Sequence, residues 1–131
     1  MSFTFINPES LGAPHGYSNG VLTEGGRLLF ISGQIAWDQQ QQIVSADLVD
    51  QFDRALANVI EVVTEAGGGP QQIVRLLIYV TDRNEYRKRL KEIGGRYRSR
   101  MGKHFPAMVL VEVAGLLEDR AQIEIEGIAV L

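Results

Sequence analysis

Two carboxylates, Glu124 and Glu126, stand two residues apart in "QIEIEGIAVL". In an extended strand that spacing puts both on one face, about 7 Å apart. Beside an apolar pocket the pair would drive its pKa values apart and leave one carboxyl able to hand over a proton. On an exposed edge both would simply face water. A second candidate is "KHFPAMVLVEV", where His104, Phe105 and Pro106 stand together before an apolar run. Polar and aromatic residues at a strand mouth often border a pocket. Met108 and Leu110 follow on one side of that run, Val109 and Val111 on the other. A third is Ser32-Gly33-Gln34, a bulge, an exposed strand end or a plain turn that could present backbone N–H groups to a ligand.

The largest charge feature is basic. Arg83, Arg87, Lys88, Arg89, Lys91, Arg96, Arg98, Arg100 and Lys103 crowd one segment, with only Glu85 and Glu92 among them. Such a patch could follow a phosphate backbone. The competing reading is the solvated face of an amphipathic helix, whose long stems cover apolar surface. No aromatic platform is interleaved, because Tyr86 and Tyr97 belong to the apolar stripe, and the solvated face is preferred. The patterns GxSxG, Walker A, GxGxxG and HExxH do not occur, so serine-hydrolase elbows, nucleotide cradles and zincin sites find no support.

These residues need elements to position them. Leu48, Phe52, Ala55, Leu56, Val59, Val63 and Ala66 recur at helical spacing. Ser45 or Asp47 can cap that helix, and Gly67-Gly68-Gly69-Pro70 stops it. "QQIVRLLIYVTD" reads as a strand apolar on both faces. A second helix is expected from about Asn84, with Tyr86, Leu90, Ile93, Tyr97 and Met101 buried and a weak point at Gly94-Gly95. Earlier, Asn19-Gly20 and Gly25-Gly26 signal turns of a strand meander. "MVLVEV" and "QIEIEGIAVL" complete an α+β pattern in which two helices cover one face of a single sheet. In the last strand Ile123, Ile125, Gly127 and Ala129 suit the helix side. The opposite face, with Glu124 and Glu126 and by expectation Met108, Leu110 and Glu112, is left uncovered. An apolar sheet face of that size predicts oligomerisation, with polar residues at its margin forming a rim or a site.

Composition narrows the chemistry. The 131 residues suit a single domain, 1–131, with 45% apolar and 22% charged residues and a net charge of −3. No cysteine is present, which removes disulfides, thiolate metal sites and cysteine nucleophiles. His15 and His104 are too few for a histidine-rich zinc site, so no metal is expected. "MSFTFINPES" lacks the basic and apolar regions of a secretion signal, and no apolar run is long enough to span a membrane. The expected location is the cytoplasm, with no membrane partner.

Taken in order, "INPESLGAPHGYSNGV", "LFISGQI", "QFDRALANVIEVVTEAGG", "IVRLLIYVTD", "FPAM" and "IEIEGIAV" resemble, over nearly the whole chain, the YjgF-like Rid family of reactive intermediate deaminases. That family is also catalogued as endoribonuclease L-PSP or translation inhibitor proteins. The resemblance implies a chorismate-mutase-like α+β fold, a homotrimer with a central barrel, and small-molecule sites in the clefts between subunits. It implies hydrolysis of enamines or imines to 2-keto acids and ammonia without a cofactor. By the same resemblance Glu124 would position water or shuttle the proton, and Tyr17 would line the cleft. The backbone of Ser32, Gly33 and Gln34 would hold the substrate's polar end, with Leu90, Phe105, Pro106, Met108 and Leu110 around it.

One departure bears on function. Deaminating members carry an arginine after "FPA" that pairs with the substrate carboxylate; this chain has Met108, which supplies neither charge nor donor. Leu90 and Leu110 likewise stand where an asparagine and a cysteine are common. Lys103, His104, Arg27 or Arg120 could supply another cation. Three readings follow: an enamine/imine deaminase of altered specificity, a non-catalytic trimeric binding or regulatory module, and an endoribonuclease acting on single-stranded RNA. The last is weakest, since no acid–base pair for RNA cleavage is visible beside the basic cluster and nucleic acid is not the expected partner.

Overall fold

The computed structural model describes residues 2–131. The longest helix, α1 (Leu48–Glu65), buries Leu48, Phe52, Ala55, Leu56, Val59 and Val63, the stripe its periodicity predicts. Ala66, expected in that stripe, is instead the exposed C-cap. Each fully buried Leu, Val or Phe contributes roughly 1.5–3 kcal/mol. Asp47 caps the start, its carboxylate accepting from the Val49 and Asp50 N–H groups at 3.1 and 3.2 Å. Gly67 ends the helix in the left-handed region at φ 97°.

The helix packs on a four-stranded sheet of order β3-β6-β4-β5. Its strands are β3 (Leu28–Gln34), β4 (Ile73–Val80), β5 (Ala107–Glu112) and β6 (Ile123–Val130). Two further strands, β1 (Ser2–Ile6) and β2 (Gly20–Glu24), pair antiparallel as a separate two-stranded sheet. The single sheet expected from the sequence is therefore divided. Asn19-Gly20 is not a turn, because Gly20 already pairs with Ile6 in the β1–β2 ladder. Gly25 and Gly26 do make the turn into β3, with φ of 69° and 88°.

Between β4 and β5 the chain crosses over through α2 (Arg83–Lys88) and α3 (Leu90–Met101), so β5 lies parallel to β4. The interruption falls at Arg89, not at Gly94-Gly95. Arg89 donates from Nε and Nη2 to both carboxylate oxygens of Glu92, at 2.8 and 2.9 Å, and from Nη1 to the cap residue Asp47 at 2.9 Å. A bidentate pair tied to a neighbouring helix holds the backbone at φ −106°, ψ 14° there. The two glycines stay helical because Ile93, Tyr97 and Met101 are buried around them.

Register decides the faces of the sheet. Leu76 pairs with Met108 and Ile78 with Leu110, so both β5 residues share the helix-covered side with those core residues. The expectation that Met108, Leu110 and Glu112 lie on the uncovered face is thus corrected. On the uncovered face Val109 and Val111 are each 40% exposed, joined across the sheet by Phe30 (71%) and Leu28 (63%). Gln51 is fully buried on α1 and was not singled out by its sequence. Its amide donates to the Ser45 and Arg120 carbonyls and accepts from the Gln122 N–H, tying the helix to the start of β6.

Candidate functional site

Glu124 and Glu126 share the uncovered face of β6, as strand periodicity requires. Their environments differ. Glu126 Oε1 accepts the Tyr79 hydroxyl at 2.5 Å, and this hydrogen bond, with Glu126 and Glu124 charges nearby, holds the Tyr79 phenol above its ordinary pKa. Glu124 has no side-chain partner among the described residues and remains available. It lies over a bulge in β3, where Ile31 pairs with Gly127 but Gln34 with Ile125, so three steps on β3 oppose two on β6. Ser32 and Gly33 are the residues displaced. The Ser32 carbonyl accepts from the Gln34 side chain at 3.1 Å. A Cβ on Gly33 would come within 2.8 Å of Glu124 Cδ.

A cleft of about 400 Å³ lies on the other side of the sheet, between β5 and α3. Tyr17, Leu90, Phe105, Met108 and Leu110 line it, together with Phe52, Tyr86, Ile93, Tyr97 and Arg98. Ser18 holds the Tyr17 segment in place: its hydroxyl donates to the Phe105 carbonyl at 2.5 Å and its N–H to the Pro106 carbonyl at 3.1 Å. Pro106 is buried and positions this mouth without lining the cleft. Phe105 stacks on Tyr97 with ring centroids 5.6 Å apart. Tyr97 donates to the His104 carbonyl, and burial pushes its phenol upward. Burial also pushes Tyr86 up to about 12, so it stays a neutral donor.

The residues singled out from sequence thus form two groups on opposite faces of one sheet. Tyr17, Leu90, Phe105, Met108 and Leu110 meet in the cleft; Ser32, Gly33, Gln34 and Glu124 meet at the bulge. Leu90, assigned to the buried stripe, is 53% exposed at the cleft wall. Of the four replacement cations considered, none lines the cleft within the chain. His104 is engaged, its Nε2 donating to the Ile73 carbonyl at 2.6 Å with Phe5 edge-on against its ring. The arginine at the cleft is Arg98, with His15 also in the lining; sequence reasoning left Arg98 in the general basic cluster, and its spacing of eight from Leu90 was the available signal.

Three of the nine basic residues, Arg89, Arg96 and Arg100, pair with acids from outside their own segment. Arg96 pairs with Asp50 and Asp53, each at 3.1 Å, and Arg100 with Asp53 at 2.5 Å, all acids of α1. Among the described residues, no group of three or more His, Asp or Glu side chains is arranged to hold a metal. No helix among the described residues is long and apolar enough to cross a membrane.

Comparison with known proteins places these features in context. A family model described as endoribonuclease L-PSP matches residues 8–131. A RutC family protein of Pyrococcus horikoshii is 34% identical over 128 residues, covering 97% of this chain and 94% of that protein. The human 2-iminobutanoate/2-iminopropanoate deaminase is 32% identical over 120 residues, covering 91% and 82%. The crystal structure of YyfB, a conserved Rid-family protein of unknown function from Yersinia pestis, superposes with a TM-score of 0.89 at 35% identity. The match covers 100% of both chains.

Proposed function

Because this chain belongs to the endoribonuclease L-PSP family of Rid and RutC proteins, we propose that it is a deaminase hydrolysing an enamine or imine in a cleft between subunits of a homotrimer. The observation that carries this reading is the free Glu124 carboxylate over the Gly33 bulge, at the margin of an uncovered apolar sheet face. The cleft opens beside β5, the edge strand of the sheet, so copies meeting across that edge with their uncovered faces turned inward would bring a neighbour's Glu124 and bulge toward the Tyr17–Met108 cleft, and each half-site would complete the other.

The reaction needs few groups. An enamine takes a proton on carbon and becomes an iminium ion; water then adds to the C=N carbon. Glu124 accepts a proton from that water as the C–O bond forms, giving a carbinolamine, and returns it to nitrogen; the hydroxyl releases its remaining proton to solvent as the C–N bond breaks and the carbonyl forms. The products are a carbonyl compound and ammonia. No electron is transferred and no cofactor is required. Met108 leaves the cleft wall apolar where the resemblance puts a carboxylate-binding arginine, so specificity departs from that of the deaminases it resembles.

Ammonia release from freshly generated 2-iminopropionate, compared with that from a bulkier imino acid, tests the reading. Turnover that Glu124→Ala abolishes supports it. Met108→Arg should raise turnover of 2-iminopropionate. Failure of every imine or enamine to release ammonia above the uncatalysed rate would sink the deaminase reading. It would leave the second one, a binding module, which the loss of a charged group at Met108 favours. Ribonuclease activity gains little support from a basic segment whose Arg89, Arg96 and Arg100 are already paired with carboxylates.

A further inference from the structure

Helix α3 presents Leu90, Gly94 and Arg98 at successive turns, and all three line the cleft. Arg98 differs from the other two arginines of α3 and from Arg89 at its start. Arg89, Arg96 and Arg100 each hold at least one carboxylate, whereas Arg98 makes no ion pair or side-chain hydrogen bond among the described residues. Its guanidinium folds back along the helix over Gly94, with Nη1 3.3 Å from where a Cβ of residue 94 would stand. Glycine there, which lowers helix propensity, leaves the room that this position needs.

The rest of the lining fixes what such a cation can serve. Among the described residues no aspartate or glutamate lines the cleft; Arg98 is its only lysine or arginine, with the His15 imidazole also in the lining. Around it stand Phe52, Ile93, Phe105, Met108 and Leu110, all apolar, and the neutral hydroxyl of Tyr86, which has no hydrogen-bond partner among the described residues. A lone guanidinium attracts an anion, and a planar carboxylate matches its fork. The apolar walls want something other than water, and 400 Å³ is within the range of pockets that enclose a ligand well beyond three carbons.

The geometry points to Arg98 as the anion anchor of this cleft, and to a monocarboxylate with a branched or aromatic apolar body as its ligand. Arg98 supplies the charge that Met108 lacks, from the helix wall instead of the strand. Met108 and Leu110 then serve as floor for the apolar body. For the reaction itself the inference rests on the deaminase reading, in which the ligand would be the 2-imino acid carrying that body.

Calorimetric titration of the whole chain with 4-methyl-2-oxopentanoate and phenylpyruvate, stable carbonyl products of such imines, tests the anchor without requiring turnover. Their methyl esters serve as neutral controls and pyruvate as the small acid. Wild type should bind the two bulky acids about tenfold or more tighter than the esters or pyruvate. Arg98→Gln should erase the preference for acid over ester and leave ester binding unchanged, while Arg98→Lys keeps part of it. Arg98 is exposed, so a matching thermal midpoint will show that the fold is intact. No binding of the bulky acids by wild type, no preference for them over the esters, or a preference that survives Arg98→Gln overturns the anchor. Arg98-dependent binding without ammonia release from the matching imines would instead sink the deaminase reading and keep the anchor. Ammonia release that Arg98→Gln leaves untouched would do the reverse.

Discussion

The Glu124 side chain occupies the space that a Cβ on Gly33 would need: such an atom would stand 2.8 Å from Glu124 Cδ and 3.0 Å from Cγ. Gly33 has no left-handed backbone requirement, so its missing side chain serves the carboxylate and not the turn. One strand's bulge thereby sets the position of an acid on the next.

Gly33→Ala should separate stability from function. The atoms in the way are the end of a flexible side chain, so Glu124 can swing aside and the thermal midpoint should hardly change. The swing removes the carboxylate from its working position, and turnover should fall about tenfold or more. A variant with native turnover would show that this placement does not matter.

The two carboxylates should respond unequally to amidation. Glu124→Gln removes the unpartnered acid and should lower turnover by about 100-fold or more. Glu126→Gln keeps an oxygen that accepts from Tyr79, so its effect should stay within a few-fold. Steady-state ammonia assays on both variants check this. Equal losses would mean that the pair works as a unit.

Phe30→Asp tests the uncovered sheet face. At 71% exposure in the single chain, Phe30 contributes little to the isolated fold, so stability of a monomer should change by about 0.5 kcal/mol or less. A buried charge at a subunit interface is far more costly. Light scattering during size-exclusion chromatography should therefore show dissociation, accompanied by loss of turnover. An unaltered assembly would place the interface elsewhere.

Asp53 provides the pH dependence. The Arg100 hydrogen bond, with further attraction from Arg100 and Arg96, lowers its pKa below the ordinary 3.8 despite partial burial. A carboxyl depressed in the native state adds stability above its unfolded pKa and loses it as pH falls through the native value. Asp53→Asn should thus cost on the order of 1 kcal/mol at neutral pH, after allowing for its partners' exposure. The gap between variant and wild type in urea unfolding should narrow as pH drops below 3.8. A gap constant with pH would mean that the carboxylate's charge contributes nothing.

Local patterns carried much of this protein in its sequence. The stripe from Leu48 to Val63, the Asp47 cap, the Gly67 stop and the shared face of Glu124 and Glu126 depend on neighbours a few residues away, where helix and strand periods are dictated by backbone geometry.

Partner choice over long separations was decided only by the fold. Nothing local says that β5 pairs parallel to β4 in the register Leu76 to Met108, yet that register puts Met108 on the helix side and Val109 on the open face. The break at Arg89 depends on Asp47, 42 residues earlier. Gln51 is buried because backbone groups near Ser45, Arg120 and Gln122 converge on it. Arg98 resembles every other basic residue of its segment until Arg96 and Arg100 claim the acids of α1 and it is left unpaired on the wall of a largely apolar cleft. A one-residue shift in the β4–β5 register would turn Met108 to the open face while leaving every local pattern intact, and the other three depend likewise on contacts between segments distant in the chain, which is why tertiary packing had to settle them.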